Sequence, residues 1–147
     1  MSPVAGVTCT WRGSITDAEL VDLVRSFDGA AEPGWWDRIR PHSLGWVAAR
    51  AADGLLVGFV NVAWDGGDHA FLIDTKTRPS ARHRGLATEV VGLAARHARD
   101  AGCEWLHVDF DPPELAALYV DACGFTPTTA AALHLPSLGS FGNPTEG

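Results

Sequence analysis

One stretch in the middle of the chain, TKTRPSARHRGLAT at residues 75–88, has residue types in an order that could bind a phosphate group. The pattern before it predicts a strand and the pattern after it predicts a helix, so a basic turn leads into a helix N-terminus. The first turn of a helix has N–H groups without intrahelical acceptors and a partial positive charge, and both attract anions. Gly85 has no Cβ, so a phosphate could approach its backbone closely. The stretch therefore predicts an anion-binding turn.

The charge of this turn is opposite to that of the whole chain. Arg82, His83 and Arg84 follow one another in a sequence with 11 basic residues, 18 acidic residues and a formal net charge of −7. Proteins that bind nucleic acid usually present a basic surface to the phosphates, so a polynucleotide partner is disfavoured. The acidic balance favours a cationic or amine substrate instead.

The segments that would position the turn alternate between strand and helix patterns. Strand composition, with β-branched and aromatic residues between turn signals, is found at residues 7–11, 44–50, 55–64, 69–77, 105–110, 125–129 and 130–135. Helix patterns follow the capping box of Thr16 and Glu19 and recur at residues 35–40, at 85–101 and between Pro112 and Gly124. The alternation predicts one mixed α/β domain.

Two motifs resemble those of a known family. The R-x-x-G-x-A motif at residues 82–87 is similar to the R/Q-x-x-G-x-G/A loop with which GNAT acyltransferases bind the pyrophosphate of acyl-CoA. The LY pair at 118–119 and the GF pair at 124–125 resemble a second segment of that family. The resemblance covers roughly residues 44–135, and the order of the predicted strands and helices agrees with it.

The resemblance implies a fold as well as a family. Residues 1–136 would form a single GNAT-like domain of the α/β class (α+β mixed), and residues 137–147 would be a polar tail. The central sheet would be mostly antiparallel, with about six or seven strands, and about four helices would flank it. Its strands would splay near the middle to admit the pantetheine arm of CoA.

The resemblance also implies roles for individual residues. Backbone amides of residues 83–88 would hold the pyrophosphate, and the backbone of residues 75–77 would pair with the pantetheine arm and polarise the thioester carbonyl. Tyr119 would donate a proton to the departing thiolate, whose reference pKa is ~8.5. The implied cofactor-binding residues are Thr75, Lys76, Thr77, Arg82, His83, Arg84, Gly85, Leu86, Ala87 and Thr88.

The sequence offers several candidates for the general base. An amine acceptor arrives mostly as ammonium, with a pKa of ~10, and must lose a proton before it attacks. Asp74 interrupts the apolar run of its strand beside the predicted cofactor segment, and it is our first choice. His69, His107 and Asp109 are rivals, acting directly or through water.

These observations predict an acyl-CoA-dependent N-acyltransferase. It would move an acetyl group from acetyl-CoA to a primary amine of an unidentified acceptor by direct attack. The alternative is a non-catalytic module that binds acyl-CoA as a sensor. A nucleotide-phosphate enzyme is disfavoured, because neither G-x-G-x-x-G nor G-x-x-x-x-G-K-[ST] occurs. Trp35, Trp36 and Trp64 would either line an acceptor pocket or pack in the core.

The polar residues at 107, 109 and 111 allow two interpretations, a metal site and a polar wall of the active site. His107, Asp109 and Asp111 share one face of a predicted strand and carry donor atoms that suit a divalent ion. No further His or Cys pattern completes such a site, so a polar wall of the active site is the preferred interpretation, without a metal.

The remaining features bear on location and assembly. The three cysteines are widely spaced and odd in number, which fits a reducing cytoplasm better than a disulfide framework. The N-terminus has no signal-peptide pattern, and no apolar run approaches the ~18 residues of a membrane span. A homodimer is compatible with the resemblance, because members of the family often form dimers.

Overall fold

The computed structural model describes residues 4–139, which form one sheet with helices on both faces. The five strands in this range lie side by side in chain order: β1 (Val7–Trp11), β2 (Ser43–Ala51), β3 (Leu56–Trp64), β4 (His69–Thr77) and β5 (Trp105–Val108). Strands β1 to β4 pair antiparallel, and β5 pairs parallel with β4. The α-helices of the same range are α1 (Asp17–Arg25), α2 (Trp35–Ile39) and α3 (Leu86–Asp100).

The expectation of six or seven strands is wrong for the described part of the chain. Residues 125–135, predicted as two short strands, are irregular and end in a 3₁₀ turn at Leu135–Ser137. Residues 126–139 are exposed, and no backbone hydrogen bond joins 126–133 to another part of the described chain. Alternating composition favours a strand only where a neighbouring strand supplies hydrogen bonds, and none lies beside this segment. The predicted tail beyond residue 139 lies outside the described range.

Two other boundaries differ from the prediction. Strand β5 ends at Val108 rather than at residue 110. The segment between Pro112 and Gly124 is not a regular α-helix: it consists of a 3₁₀ turn, Pro113–Leu115, followed by a π-helix, Ala117–Ala122. The apolar residues of this segment are spaced three and four positions apart and are too few to distinguish a 3₁₀ or π segment from an α-helix.

Helix α1 begins where the sequence predicts it and packs on one face of the sheet. The Glu19 amide donates to Thr16 Oγ1 at 3.1 Å, and the Thr16 amide donates to Glu19 Oε1 at 3.0 Å, which completes the capping box. Leu20 and Leu23 are fully buried with Phe59 of β3. Full burial of a leucine stabilises a fold by about 1.5–3 kcal/mol, so these contacts fix α1 and the segment after it against the sheet.

Helix α3 covers the opposite face of the sheet. Val90, Val91, Ala94 and Ala98 recur at helical spacing and are buried in the larger core cluster, with Val60 of β3. The helix is 15 residues long and begins directly after Gly85. Its buried stripe therefore determines where its N-terminus, the predicted anion-binding turn, lies relative to β4.

Strand β4 is irregular at the point where the predicted site begins. Phe59 pairs with Lys76 and Asn61 pairs with Ile73, so Val60 alone faces two residues, Asp74 and Thr75. This is a β-bulge, and Asp74 adopts a left-handed conformation with φ of +59°. Pairing of β4 with β5 ends at Leu72 and Val108, so the second half of β4 is free on that side. Pairing therefore ends near the middle of β4, where the family resemblance implies a splay, and the splay itself stays a prediction.

Candidate active site

A cavity of about 550 Å³ lies between the second half of β4, the N-terminus of α3 and the π-helix. We call it the first cavity. Every predicted cofactor-binding residue except Arg84 lines it, and Tyr119 lines it as well. The lining residues are Phe27, Thr75, Lys76, Thr77, Ala81, Arg82, His83, Gly85, Leu86, Ala87, Thr88, Leu115, Leu118 and Tyr119.

The N-terminus of α3 opens into the first cavity without a side-chain cap. The first helical hydrogen bond runs from the Glu89 amide to the Gly85 carbonyl at 3.1 Å. The amides of Leu86, Ala87 and Thr88 precede that bond, so they have no intrahelical acceptor. Free amides at the positive end of a 15-residue helix are suited to an anion such as a pyrophosphate.

The turn before α3 depends on unusual backbone angles. Gly85 has φ of +78°, a left-handed conformation that glycine adopts without strain. His83 has φ of +62°, which is unfavourable for most residues but is tolerated better by His, Asn and Asp. These two angles turn the chain sharply between Arg82 and the helix. A local requirement for Gly85 therefore supports the anion-site interpretation of the sequence motif.

Two cations at the mouth of the first cavity share one aromatic ring. Lys76 Nζ lies 5.6 Å and the Arg82 guanidinium carbon 5.5 Å from the centroid of Phe27, which follows the end of α1. Arg82 Nε also donates to the carbonyl oxygen of Thr77 at 3.2 Å. Neither cation forms an ion pair within residues 4–139. Their charges are therefore available to an anionic ligand.

Tyr119 forms the inner wall of the first cavity. Its side chain is 4% exposed, it stacks on Phe110 with ring centroids 5.1 Å apart, and it meets the edge of Phe125 at 5.9 Å. Its hydroxyl donates to Thr75 Oγ1 at 3.1 Å. Burial raises the pKa of Tyr119, and the bond to Thr75 opposes this only in part, so the phenol keeps its proton at neutral pH. A protonated phenol beside β4 can act as a general acid.

A smaller cavity of about 250 Å³ lies on the other side of the bulge, between β4 and the segment that joins α1 to α2. We call it the second cavity. It shares Lys76 with the first cavity, while Asp74 lines only the second. Burial raises the pKa of Asp74, and the nearby ammonium of Lys76 lowers it to a smaller extent. The bulge thus places Asp74 and Thr75, which are consecutive, in the walls of two different cavities.

Four predicted residues lie elsewhere. Arg84 lines neither cavity, and its Nη2 donates to the carbonyl oxygen of Ala5 at 2.8 Å. His69 and His107 line neither cavity and hydrogen-bond to each other, Nδ1 to Nε2, at 2.8 Å. Asp109 is exposed beyond the end of β5 and is absent from both walls. Of the candidate bases, Asp74 alone lines a cavity.

Some residues of these walls are not apparent in the sequence. The sequence predicts Phe27 to be the last apolar residue of α1. In the structure its ring lies beside the two cations of the first cavity. Trp35 lines the second cavity, as one of the two interpretations of the tryptophans allows, whereas Trp36 is buried in the core. Glu32 and Arg38 also line the second cavity. No local pattern identifies these two, because charged residues in a loop and a short helix are usually solvated.

The fold and the site agree with a comparison to known families. The model of the acetyltransferase (GNAT) family matches residues 14–125. This chain therefore belongs to the GNAT acetyltransferase family, whose members are acyl-CoA-dependent N-acetyltransferases. No curated protein matches the chain in a sequence comparison.

Solved structures share this fold at low sequence identity. A candidate acetyltransferase from Deinococcus radiodurans R1 is 22% identical with a TM-score of 0.72, covering 91% of this chain and 92% of its own. A GNAT N-acetyltransferase from Escherichia coli, solved with CoA, is 19% identical with a TM-score of 0.69, covering 86% and 72%. AAC(6')-Iy, solved with the bisubstrate analogue CoA-S-monomethyl-acetylneamine, is 20% identical with a TM-score of 0.68, covering 87% and 96%. At these identities the likeness establishes the fold alone.

Within residues 4–139, no group of three or more His, Cys, Asp or Glu side chains is arranged to hold a metal ion. In the same part of the chain, each helix is too short or too polar to cross a membrane.

Proposed function

We propose that this protein transfers an acetyl group from acetyl-CoA to a primary amine by direct attack. One observation carries the proposal: the Tyr119 hydroxyl, 3.1 Å from Thr75 Oγ1, lines the same cavity as the uncapped N-terminus of α3. An anion site and a buried proton donor in the walls of one cavity suit a substrate that carries both a phosphate group and a thioester.

The residues of the first cavity would bind acetyl-CoA in two ways. The amides of residues 86–88 would donate hydrogen bonds to the pyrophosphate oxygens, and Arg82 and Lys76 would add positive charge at the mouth. The free edge of β4 beyond Leu72 would offer backbone hydrogen bonds to the amide groups of the pantetheine arm, as an added strand does. The backbone amide of His83, in the turn before α3, would also contact the pyrophosphate.

The transfer would require three proton movements. Asp74 would take the first proton from the ammonium, and burial, which raises the pKa of Asp74, makes its carboxylate a stronger base. The amine nitrogen bonds to the thioester carbonyl carbon as the carbon–sulfur bond breaks, and CoA leaves as the thiolate. Tyr119 would give its proton to the sulfur, and the second proton that the nitrogen loses as the amide forms would return the phenolate to the phenol. Most of the acceleration would come from holding amine and thioester in line.

The first test is calorimetric titration with acetyl-CoA, with NADH and ATP as controls. We expect saturable binding of acetyl-CoA alone, because neither control combines a pyrophosphate with a thioester arm. Release of free CoA thiol would then be measured with a broad set of primary amines. Absence of acetyl-CoA binding would contradict the assignment of the first cavity. Tight binding without thiol release on any amine would favour the sensor.

Several wider expectations stay predictions. A domain boundary at residue 136 and a homodimer rest on the family resemblance. A cytoplasmic location is supported by three free thiols, at Cys9, Cys103 and Cys123. Burial raises the pKa of Cys9 to about 12, so that thiol is a poor nucleophile and is best understood as part of the packing.

A further inference from the structure

The second cavity restricts the size of the acceptor. Its volume of about 250 Å³ is below the range of ~300–1,000 Å³ that accommodates drug-sized ligands. Val24, Ala30 and Ala31 form an apolar side, and Trp35 of α2 adds a half-buried ring. A compact molecule of few atoms fits this space, whereas a multi-ring acceptor would have to extend into solvent.

The charges of the second cavity are of both signs and are not paired with each other. Asp74 and Glu32 supply carboxylates, and Arg38 and Lys76 supply cations. Among residues 4–139 none of the four belongs to a salt bridge. Arg50 and Arg78, by contrast, each bond to a carboxylate of α1 and to a backbone carbonyl. Charges of both signs that line one small cavity without pairing suit a ligand that itself carries both signs.

The position of each charge gives the ligand an orientation. Asp74 lies in the bulge next to Thr75, which contacts the proposed acid, and Lys76 lines both cavities. The Asp74 end of the second cavity therefore adjoins the first cavity, and an ammonium bound at Asp74 would be at the reactive end. Arg38 lies on α2, on the side of the cavity formed by the helix. A guanidinium binds a carboxylate through two parallel hydrogen bonds. Glu32 in the same wall disfavours the higher charge of a phosphate.

We propose that the acceptor is a small amine that also carries a carboxylate, an α-amino acid in chemical class, with its ammonium at Asp74 and its carboxylate at Arg38. This inference rests on the proposed function, because it assigns the acceptor of the same reaction. The acetylated product is an N-acetylamino acid, which has lost its positive charge. The product therefore no longer pairs with Asp74, which favours its release.

The test is a comparison of matched acceptors. Thiol release is measured with alanine, valine, leucine and phenylalanine, with the carboxamide of each, and with the amine that lacks the carboxyl group. We expect kcat/KM for at least one amino acid to exceed that of both its analogues by at least about 10-fold. The carboxamides are the stricter control, since their lower amine pKa gives them more reactive free base at neutral pH.

A pair of arginine variants tests the assigned carboxylate contact. Arg38→Ala should raise KM for the preferred amino acid at least about 10-fold, while kcat and the rate with the carboxamide stay unchanged. Arg40→Ala is the matched control, because Arg40 follows α2 and lines neither cavity. We expect it to change neither constant. Unchanged acetyl-CoA affinity in both variants would show that the fold is intact.

The outcomes separate this inference from the proposed function. Equal or faster acetylation of the carboxamides or the carboxyl-free amines would overturn the inference and leave acetyl transfer standing. Turnover only with acceptors other than these amino acids and their analogues, such as polyamines, would also overturn the inference and leave acetyl transfer standing. An equal loss with amino acid and carboxamide in Arg38→Ala would also overturn the carboxylate contact. Absence of thiol release with every amine would overturn both the inference and the proposed function.

Discussion

The two cavities on either side of the β4 bulge are built in different ways. The first is formed largely by one continuous stretch, residues 75–88, and its central feature is backbone: the free amides at the start of α3. The second is formed by side chains from α1, the α1–α2 segment, α2 and β4, with only a few residues from each. A recurrent motif can specify the first, whereas the second depends on how distant segments pack.

The two cavities also differ in the charged residues that line them. Among residues 4–139 no acidic residue lines the first cavity, and Lys76, Arg82 and His83 contribute basic groups, so its electrostatic field suits an anion although the chain as a whole is acidic. The second combines Asp74 and Glu32 with two cations. A donor shared by a whole family requires only the first kind of site. An acceptor that differs between members would require the second kind, which can change without disturbing the proposed donor site.

The largest effect that would test this difference between the two cavities is expected from a substitution at Gly85. Gly85→Glu should weaken acetyl-CoA binding at least about 1,000-fold in calorimetric titration, because a side chain and a negative charge would enter the anion site. The positive φ of +78° adds backbone strain for any residue other than glycine.

Gly54→Glu is the matched control for that strain. Gly54 lies in the β2–β3 hairpin, has φ of +91° and, like Gly85, has no neighbour within 4 Å of an added Cβ. We expect a comparable loss of thermal stability in both variants and a loss of acetyl-CoA binding in Gly85→Glu alone. Unchanged affinity in Gly85→Glu would contradict the assignment of the first cavity.

A smaller effect is expected from Tyr119→Phe, which removes only the hydroxyl. The turnover number should fall about 100-fold, because the leaving thiolate loses its proton donor, while acetyl-CoA affinity changes little. Rates with saturating donor and amine measure the first effect, and calorimetry measures the second. Since Tyr119 packs between Phe110 and Phe125, phenylalanine preserves the aromatic contacts. An unchanged turnover number in a folded variant would mean that another group protonates the sulfur.

The smallest effect, about 10-fold in kcat/KM at neutral pH, is expected from Asp74→Asn. It falls below the 10²–10⁴-fold typical of a general base, because free amine from solution can bypass the missing carboxylate. Burial raises the pKa of Asp74, so wild-type activity should decline as pH falls through that raised value and Asp74 becomes protonated. The deficit of the variant should shrink as pH rises towards ~10, since the neutral amine then becomes abundant.

Asp28→Asn is the control for this variant. Asp28 also has a left-handed backbone, with φ of +63°, and it lines neither cavity. Its rates should match those of the wild type at every pH. A constant deficit of Asp74→Asn across the pH range would instead indicate that Asp74 orients the acceptor without removing its proton.

The sequence by itself determined the features that depend on local interactions. The capping box at Thr16 begins α1, the glycine at residue 85 precedes α3, and strands β1 to β4 lie close to their predicted bounds. Each is fixed by residues within a few positions of one another, through backbone angles, capping hydrogen bonds or side-chain periodicity. The proposed anion-binding turn belongs to this class, because its chemistry would be that of one turn and one helix end.

Only the tertiary structure decided the features that need contacts between distant residues. The Tyr119 hydroxyl meets Thr75, 44 positions earlier, and Phe27 from the end of α1 meets Lys76 and Arg82. Residues 125–135 have strand composition but no strand beside them, so they do not extend the sheet. The second cavity exists because α1 and α2 are held on one face of the sheet by buried side chains. Its charges are distributed among loops and short elements, where composition carries no information about which side chains will face one another.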